Sequence, residues 1–595
     1  MRMNEKAILD SVVAMKLPPW KELFQEGFEI GKKLRIGRTK FLDLHKVDSE
    51  RAFKEQTIGQ RLITRHINFG MKTWELSVDA LKRIYDASQR DNFRLDRHVL
   101  NTERRMGLPR GMREKAIPET GTYMRDEDWY RIGQAVPVQP CCLDHMIGSP
   151  ASLANTVDAL RGGVTSIGSI AEIIYRYPSY HDDIEQMKDT IRALGVMAAR
   201  KNDGVVVETY LEDGVCASFY DAASIIGWAK LERYIIEEVI GAASCLDFGS
   251  TFSNPLLKVA TLYALDEINT NTVPMGFVHG DTNCYTTAAA NLDRNAPLAI
   301  SDILFTHLGL SRRPNGAATH AVPLTEAERI PTVEDQIQVL NMAQRIEEEA
   351  WRFASIVDWE KVEALSRDLV NYGTIFYQNI LQKLMDNKID VTNPLEMFIV
   401  FERLGADAVE RMFNVGEPAE NQPRGFRPRI PTSTYDRFLK AEKKVLDEVV
   451  GKFSKEKKQF FVERNINKRV LVASTDIHVY AYDLLCASFG ELGFDVVKLG
   501  TSADPETVIK GTKESAVDFV AITTWNGMAL TYGRQIMEGL AKEKLIGSVS
   551  VFMGGRLLED IDGVLGKDVT VDLNKLGVRT PPTIPELIKE CANAK

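Results

Sequence analysis

The sequence predicts an α/β protein: a TIM-type (β/α)8 barrel followed by a flavodoxin-like (Rossmann-type) domain, with a mainly helical segment in front. Three observations support this prediction. The chain has 595 residues, 44% of them apolar, which is enough for two or more large cores. Between about residues 133 and 411, short apolar runs alternate with amphipathic stretches, as in parallel α/β folds. Residues 468–500 have the pattern of a strand, a helix and a second strand.

The first domain boundary is predicted at residue 114. Residues 1–114 contain apolar residues at helical spacing and end in an arginine-rich stretch, 94–113. We interpret that stretch as a solvated or interdomain surface; the alternative is a cap over a phosphate-bearing ligand or a subunit contact. The following units are the barrel over 115–415, a Pro- and Arg-rich linker with a Lys/Glu-laced helix over 416–466, and the last domain over 467–595.

The number of candidate strands favours a barrel over a doubly wound sheet for the central region. Polar side chains that follow these strands, among them Arg176, Arg200 and Asp221, are candidates for a site at their carboxyl ends. His145, His279 and His320 are interpreted as hydrogen-bonded core histidines. The predicted strands are 134–138, 164–167, 194–198, 205–209, 244–248, 273–278 and 298–305.

Composition argues against several kinds of partner. A net charge of −9 without any basic run disfavours nucleic acid. The chain has no run of about 18 apolar residues, so we expect no membrane span. The first 20 residues lack a signal-peptide core, and the seven cysteines form no CxxC pair. These features predict a reduced, cytoplasmic protein.

Asp476 and His478 come directly after the first strand of the last domain, where open parallel sheets bind ligands. A carboxylate two residues from an imidazole suits metal ligation, because it can hold one ring N–H and fix the tautomer. By itself the pair is also typical of a solvated turn. Farther along, Thr523 follows an apolar strand, and Gly554-Gly555 follow another.

Together these residues resemble the cobalamin-binding domain of adenosylcobalamin mutases and corrinoid methyltransferases, whose signature is Asp-x-His-x-x-Gly, then Ser-x-Leu, then Gly-Gly. The resemblance implies that His478 ligates cobalt and that Asp476 holds His478. Two positions depart from the signature: Ala481 stands for Gly and Trp525 for Leu. A flavodoxin-like domain that has lost its cofactor is the alternative. The cofactor-binding residues implied are Asp476, Ile477, His478, Ala481, Thr523, Trp525, Gly527, Gly554 and Gly555.

Short runs in the barrel region are similar, in the same order, to the catalytic subunit of glutamate mutase (methylaspartate mutase). They include Arg161-Gly-Gly-Val, Ile174-Tyr-Arg, Ala199-Arg and Glu326-Ala-Glu-Arg-Ile-Pro-Thr. The resemblance implies that Glu326 contacts the cofactor's ribose.

Two of that family's three carboxylate-binding arginines fall on Arg176 and Arg200, but the third falls on Cys141. The catalytic glutamate has no counterpart before Asp221. Losing one arginine fork should lose one carboxylate contact, so we expect a carboxylic acid other than glutamate.

The resemblance therefore implies an isomerase, an adenosylcobalamin-dependent carbon-skeleton mutase with barrel and cofactor domain in one chain. Arg176 and Arg200 would bind a small carboxylate substrate, and Asp221 is the carboxylate nearest to the missing base. We expect a homodimer with neither a nucleic-acid nor a membrane partner. The alternatives are a corrinoid-dependent methyltransferase and a cobalamin-binding regulatory protein with a degenerate barrel.

Overall fold

The computed structural model describes residues 4–250, 252–271, 273–281, 292–326, 330–420, 422–451, 455–561 and 564–594. The strands are β1 Arg65–Phe69, β2 Arg97–Leu100, β3 Gln139–Cys141, β4 Ser166–Ile167, β5 Val206–Glu208, β6 Ser244–Cys245, β7 Phe248–Ser250, β8 Phe277–Asp281, β9 Ala318–His320, β10 Glu417–Pro418, β11 Phe426–Arg427, β12 Arg469–Ser474, β13 Asp495–Gly500, β14 Phe519–Thr524, β15 Ser550–Gly555, β16 Leu558–Ile561 and β17 Val564–Asp568.

The α-helices are α1 Glu5–Val13, α2 Trp20–Lys33, α3 Lys40–His45, α4 Glu50–Gly59, α5 Trp74–Asp91, α6 Arg110–Arg113, α7 Asp126–Trp129, α8 Ser152–Arg161, α9 Asp183–Ala199, α10 Ala222–Arg233, α11 Pro255–Ile268, α12 Leu292–Arg312, α13 Val333–Glu349, α14 Trp359–Asp386, α15 Pro394–Phe413, α16 Ser433–Val450, α17 Lys455–Asn465, α18 Val479–Glu491, α19 Pro505–Ser515, α20 Ala529–Lys542, α21 Thr570–Lys575 and α22 Ile584–Asn593.

Parallel strands of the first 320 residues form two sheets, in the orders β3-β2-β1-β9-β8-β7 and β4-β5-β6. A parallel bridge between Cys142 and Ile167 joins β3 to β4. One stretch of chain, residues 244–250, supplies both β6 and β7. Side chains from both sheets, such as Ile67, Ile167 and Val278, belong to one apolar core. The region is therefore a mixed α/β unit with parallel strands at its centre.

The predicted boundary at residue 114 is wrong, because β1 and β2 are part of this sheet. Strand β1 pairs with β2 and β9, and β2 pairs with β3. Both strands begin with an arginine that is 2% exposed. Arg97 forms ion pairs with Glu50 and Glu208 inside the molecule. Strands whose charges are neutralised by distant residues lack the apolar pattern from which strands are predicted.

Two predicted strands are helical. Residues 194–198 are the end of α9, and 298–305 lie inside α12. Strand β9 was not predicted. A short apolar run cannot by itself distinguish a buried strand from the buried face of a helix. The error matters for function. A strand over 194–198 would put Arg200 at a carboxyl end, whereas Arg200 follows α9 and lies at the amino end of the next strand, β5.

The C-terminal domain has the predicted pattern of elements. Its sheet is parallel throughout, in the order β13-β12-β14-β15. Val470 and Val472 pack into one apolar cluster, and Leu471 and Ala473 pack into another. Alternate residues of β12 thus face helices on opposite sides, as expected for a strand covered on both faces.

In place of the single Lys/Glu-laced helix predicted within residues 416–466, the structure has two helices, α16 and α17. Gly451 ends α16 in a left-handed conformation, with φ of +86°. This is a conformation that favours glycine. Phe438 and Val445 of α16 belong to the same apolar cluster as Val470 of β12. The linker helix is therefore packed on the C-terminal domain and is not a free tether.

None of the described helices has the combination of length and apolar composition that crossing a bilayer requires. The six cysteines in the described part of the chain are free thiols, and all are buried.

Candidate functional site

A cavity of about 500 Å³ lies between the C-terminal domain and the α/β unit of residues 4–413, which we call the barrel region after its predicted fold. The carboxyl ends of β12 and β14 open onto it, which is where parallel sheets bind ligands. The C-terminal domain contributes Asp476, Ile477, His478, Ala481, Trp525 and Gly527 to the lining, and the barrel region contributes His145, Tyr177, His279, His320 and Glu326. Several predicted cofactor-binding residues from both domains therefore meet in one space.

His478 stands at the turn between β12 and α18, immediately before the helix. Its Nδ1 is 2.8 Å from Oδ1 of Asp476, and its backbone N–H donates to the same oxygen at 3.0 Å. The carboxylate is an acceptor, so Nδ1 carries a proton and Nε2 is the nitrogen left for a ligand. The side chain is 48% exposed. A carboxylate that holds one ring nitrogen in this way leaves the other as the nitrogen that can bind a metal.

Asp476 is 2% exposed and surrounded by donors. Its Oδ2 accepts from the backbone N–H of Trp525 at 2.7 Å, from that of Asn526 at 3.3 Å and from the Thr475 hydroxyl at 3.0 Å. Burial alone would raise the pKa of Asp476, but His478 and the backbone donors outweigh it and lower that pKa. The residue remains a carboxylate that holds the imidazole in one orientation.

Trp525, which departs from the family signature, lies beside His478. The two ring centroids are 5.6 Å apart with the planes tilted by 39°. The Arg556 guanidinium lies 4.4 Å from the Trp525 centroid and also donates to the backbone carbonyl of Glu326. Burial raises the pKa of Glu326 to about 7, although Arg556 opposes the shift. Glu326 therefore lines the cavity at the wall shared by the two domains.

Thr523 lies in β14, one residue before the carboxyl end of that strand. Its hydroxyl is buried and has no hydrogen-bond partner among the described residues, and the same holds for Ser502. Thr523 lies opposite Gly554 in the β14–β15 register. No described atom is within 4 Å of a Cβ built on Gly554. A buried hydroxyl without a partner, such as that of Thr523 opposite Gly554, fits a ligand chain with polar groups.

Gly555 has a different role from Gly554. Its φ is +109°, and a Cβ there would lie 2.2 Å from the Thr524 carbonyl oxygen. Gly527, with φ of +70°, would place a Cβ 2.7 Å from Thr120 of the barrel region. These two glycines are required by the backbone and by close packing, so only Gly554 has room for a side chain.

The structure does not bring Arg176 or Arg200 to the described lining of the cavity. Tyr175 and Tyr177 line it, so Arg176 between them points outward; its side chain is 72% exposed and 3.7 Å from Glu402. Arg200 ends α9 and pairs with Asp203 ahead of β5, at the amino end of that strand. The predicted carboxylate clamp is therefore corrected: these arginines do not face the candidate cofactor site.

Asp221 and Cys141 also lie elsewhere. Asp221 caps α10, and its carboxylate accepts backbone N–H groups of Ala223, Arg429 and Ile430. Cys141 is fully buried, with Sγ 2.7 Å from a guanidinium nitrogen of Arg97. Asp221 ties the linker to the barrel region, and Cys141 packs in an internal ion cluster.

We expect Arg176→Ala and Arg200→Ala to leave cobalamin binding unchanged. Neither side chain lines the cavity: Arg176 is exposed, and Arg200 is partly buried beside Asp203, so we expect changes in the free energy of unfolding of about 1 kcal/mol or less and no change in the cofactor site. Cobalamin titration and thermal unfolding of each variant check this. A tenfold loss of cobalamin affinity in either variant would show that the substituted arginine does contribute to the cofactor site.

The residues that sequence reasoning undervalued are histidines on the barrel side of the cavity. His145 Nδ1 is 2.8 Å from the Tyr177 hydroxyl, and the rings of His279 and His320 are 4.4 Å apart. Burial lowers the pKa of His145 to about 3 and that of His279 to about 4. They are hydrogen-bonded, as predicted, and they also line the cavity. Their only sequence signal is a position at or just after a strand.

The chain matches no protein-family model and no curated protein. Among solved structures it is similar to a cobalamin-binding protein from Desulfitobacterium hafniense DCB-2, at 16% identity over 27% of this chain and 75% of that one, with a TM-score of 0.20. It is also similar to the monomethylamine corrinoid protein of Methanosarcina barkeri, at 14% identity over 42% and 90% of the two chains, with a TM-score of 0.18. TM-scores this low decide nothing about this chain, so its function is inferred from its own residues.

Proposed function

We propose that this protein is a cobalamin-dependent enzyme in which His478 would ligate the cobalt. One observation carries the proposal: His478, oriented by a buried Asp476, presents Nε2 at a cavity shared by two domains. A solvated turn would not bury the carboxylate or surround it with four further donor contacts from the chain. A histidine held in this way is a preorganised metal ligand.

Other residues fit the rest of the cofactor. Thr523, Ser502 and the open space at Gly554 suit the nucleotide tail, and Glu326 suits the ribose of an adenosyl group. When bound, cobalamin supplies a cobalt–carbon bond that can be cleaved for radical or methyl-transfer chemistry. The chain's own part is to hold the corrin over His478, to position the substrate in the barrel-side half of the cavity and to exclude water.

We further propose that the barrel region closes as a (β/α)8 barrel. Three features support closure: β1 pairs with both β2 and β9, the Cys142–Ile167 bridge joins β3 to β4, and residues 244–250 run through both sheets. The polar cavity lining would then lie at the carboxyl-end face, where enzymes with this fold bind their substrates.

Within this class we propose an adenosylcobalamin-dependent mutase. Substrate cavity and cofactor domain are docked on each other within one chain, which favours chemistry that stays in a closed site. Hydrogen bonds across this junction include those from Ser179 to Asp504 and from Arg104 to the Thr475 carbonyl. Neutral His145, His279 and Tyr177 would orient a small polar substrate by hydrogen bonds.

The test is to load the protein with adenosylcobalamin without oxygen and to screen small acids and amino acids by NMR. A rearranged carbon skeleton together with a substrate-dependent radical signal in electron paramagnetic resonance supports the mutase. Methyl transfer to or from the cofactor would replace that proposal with a methyltransferase. Tight binding without turnover across the screen would favour a regulatory protein, and no cobalamin binding would overturn the whole proposal.

A further inference from the structure

A chain of hydrogen bonds connects the Asp476–His478 pair to the barrel region. The backbone N–H of Asn526 donates to Asp476, and its side-chain Nδ2 donates to Oε2 of Glu119 at 3.2 Å. The Asn526 carbonyl accepts the N–H of Thr120, also at 3.2 Å. One residue of the C-terminal domain therefore contacts both the carboxylate that orients His478 and the barrel segment Glu119–Thr120.

The chain of hydrogen bonds continues from Glu119 to the cavity wall. Oε1 of Glu119 accepts the backbone N–H of Arg104 at 3.1 Å. The Arg104 carbonyl accepts the Tyr177 hydroxyl at 2.6 Å, and the Tyr177 oxygen accepts Nδ1–H of His145 at 2.8 Å. His145 Nε2 lies 3.8 Å from Oε1 of Glu119, so the last residue of this chain of hydrogen bonds is again close to Glu119. His145 and Tyr177 line the cavity and are available to a bound substrate.

The residues where the two domains meet, around Glu119 and Gly527, are tightly packed. Glu119 is 8% exposed, and burial raises its pKa to about 7 although Arg104 opposes the shift. Gly527 has no room for a Cβ against Thr120. The loop Trp525–Gly527, whose N–H groups hold Asp476, is therefore held in place by residues 119 and 120. A displacement of that segment must move the loop or break its hydrogen bonds.

We propose that Glu119 and Asn526 are positioning residues that couple the barrel-side cavity to the axial ligand His478. A ligand that contacts His145 or Tyr177 alters the hydrogen bonds to Glu119, and Asn526 passes the change to Asp476. The hydrogen bond from a ligating histidine to its carboxylate sets the basicity of that histidine. The inference rests on the proposed function because it takes His478 as the cobalt ligand.

The experiment uses cob(II)alamin bound to the full chain. The protein carries ¹⁵N-labelled histidine, so that a doublet splitting in the electron paramagnetic resonance spectrum reports the fraction of cobalt that carries the histidine, whereas the cofactor's own base would give the triplet of ¹⁴N. The variants are Asn526→Ala and Glu119→Gln. The matched control is Lys72→Met, which removes a different interdomain hydrogen bond, 3.0 Å long, to the Asp560 carbonyl. Losing an outer partner of a metal ligand typically costs 10–100-fold in affinity; because the backbone donors to Asp476 remain, we expect a roughly three- to tenfold fall in the histidine-on to histidine-off ratio.

Wild-type ratios in both variants would overturn the coupling, as would an equal fall in Lys72→Met. If Asn526→Ala does not fold, Glu119→Gln decides, because it keeps the size of the side chain. A wild-type protein that binds cob(II)alamin without nitrogen splitting from histidine would instead overturn the proposed function. The two failures are therefore distinguishable in one set of spectra.

Discussion

His478→Ala is expected to abolish histidine ligation and to lower cobalamin affinity by at least about tenfold. Losing only a hydrogen-bond partner of a metal ligand already lowers affinity about 10–100-fold, and this variant loses the ligand itself. The fold should persist, because Asp476 keeps donors from Thr475, Trp525 and Asn526. Absorption spectra of bound cobalamin report the ligand, and titration reports the affinity. The expected wild-type spectrum is that of cobalamin with its nucleotide base off and histidine on.

A suitable control is His181→Ala. His181 is 68% exposed and lies 3.9 Å from Asp504, outside the described lining of the cavity. This variant should bind cobalamin as the wild type does. A wild-type spectrum in His478→Ala, or a base-on spectrum in the native protein, would rule out His478 as the axial ligand.

Gly554→Val should lower cobalamin affinity by at least about tenfold, or roughly 1.4 kcal/mol, while the domain stays folded. Valine is favoured in strands. A Cβ built on Gly554 would have no described atom within 4 Å apart from its own residue and its chain neighbours. The side chain would therefore enter the space that we assign to the nucleotide tail. Titration with cobalamin and with cobinamide, which lacks the tail, checks this assignment. Only cobalamin should lose affinity.

Gly490→Ala is the control, since Gly490 also has open space for a Cβ but lies on α18. It should bind normally. Gly555→Val differs in kind: its strained φ and the 2.2 Å approach to Thr524 predict loss of stability before any effect on binding. Unchanged cobalamin affinity in a folded Gly554→Val variant would mean that the tail takes another path.

Local patterns in the sequence were enough to predict the strands and helices of the C-terminal domain and the hydrogen bond between Asp476 and His478. Strands such as Val470–Ala473 are continuous apolar runs because both faces are covered. Asp476 and His478 are two residues apart, so one turn brings them within hydrogen-bond distance. The Gly554-Gly555 pair at the end of β15 is equally local. Structure that depends on residues close together in the chain can be predicted from a single sequence.

Only the tertiary structure decided what depends on distant partners. Arg97 opens a buried strand because Glu50 and Glu208 neutralise it, and nothing near it in sequence indicates this. Arg200 follows an apolar run that is helical, so it lies at the amino end of β5 and away from the cavity. Glu119 and Asn526 meet across 407 positions. The energy of such contacts is set by burial and geometry between segments that the chain order does not reveal.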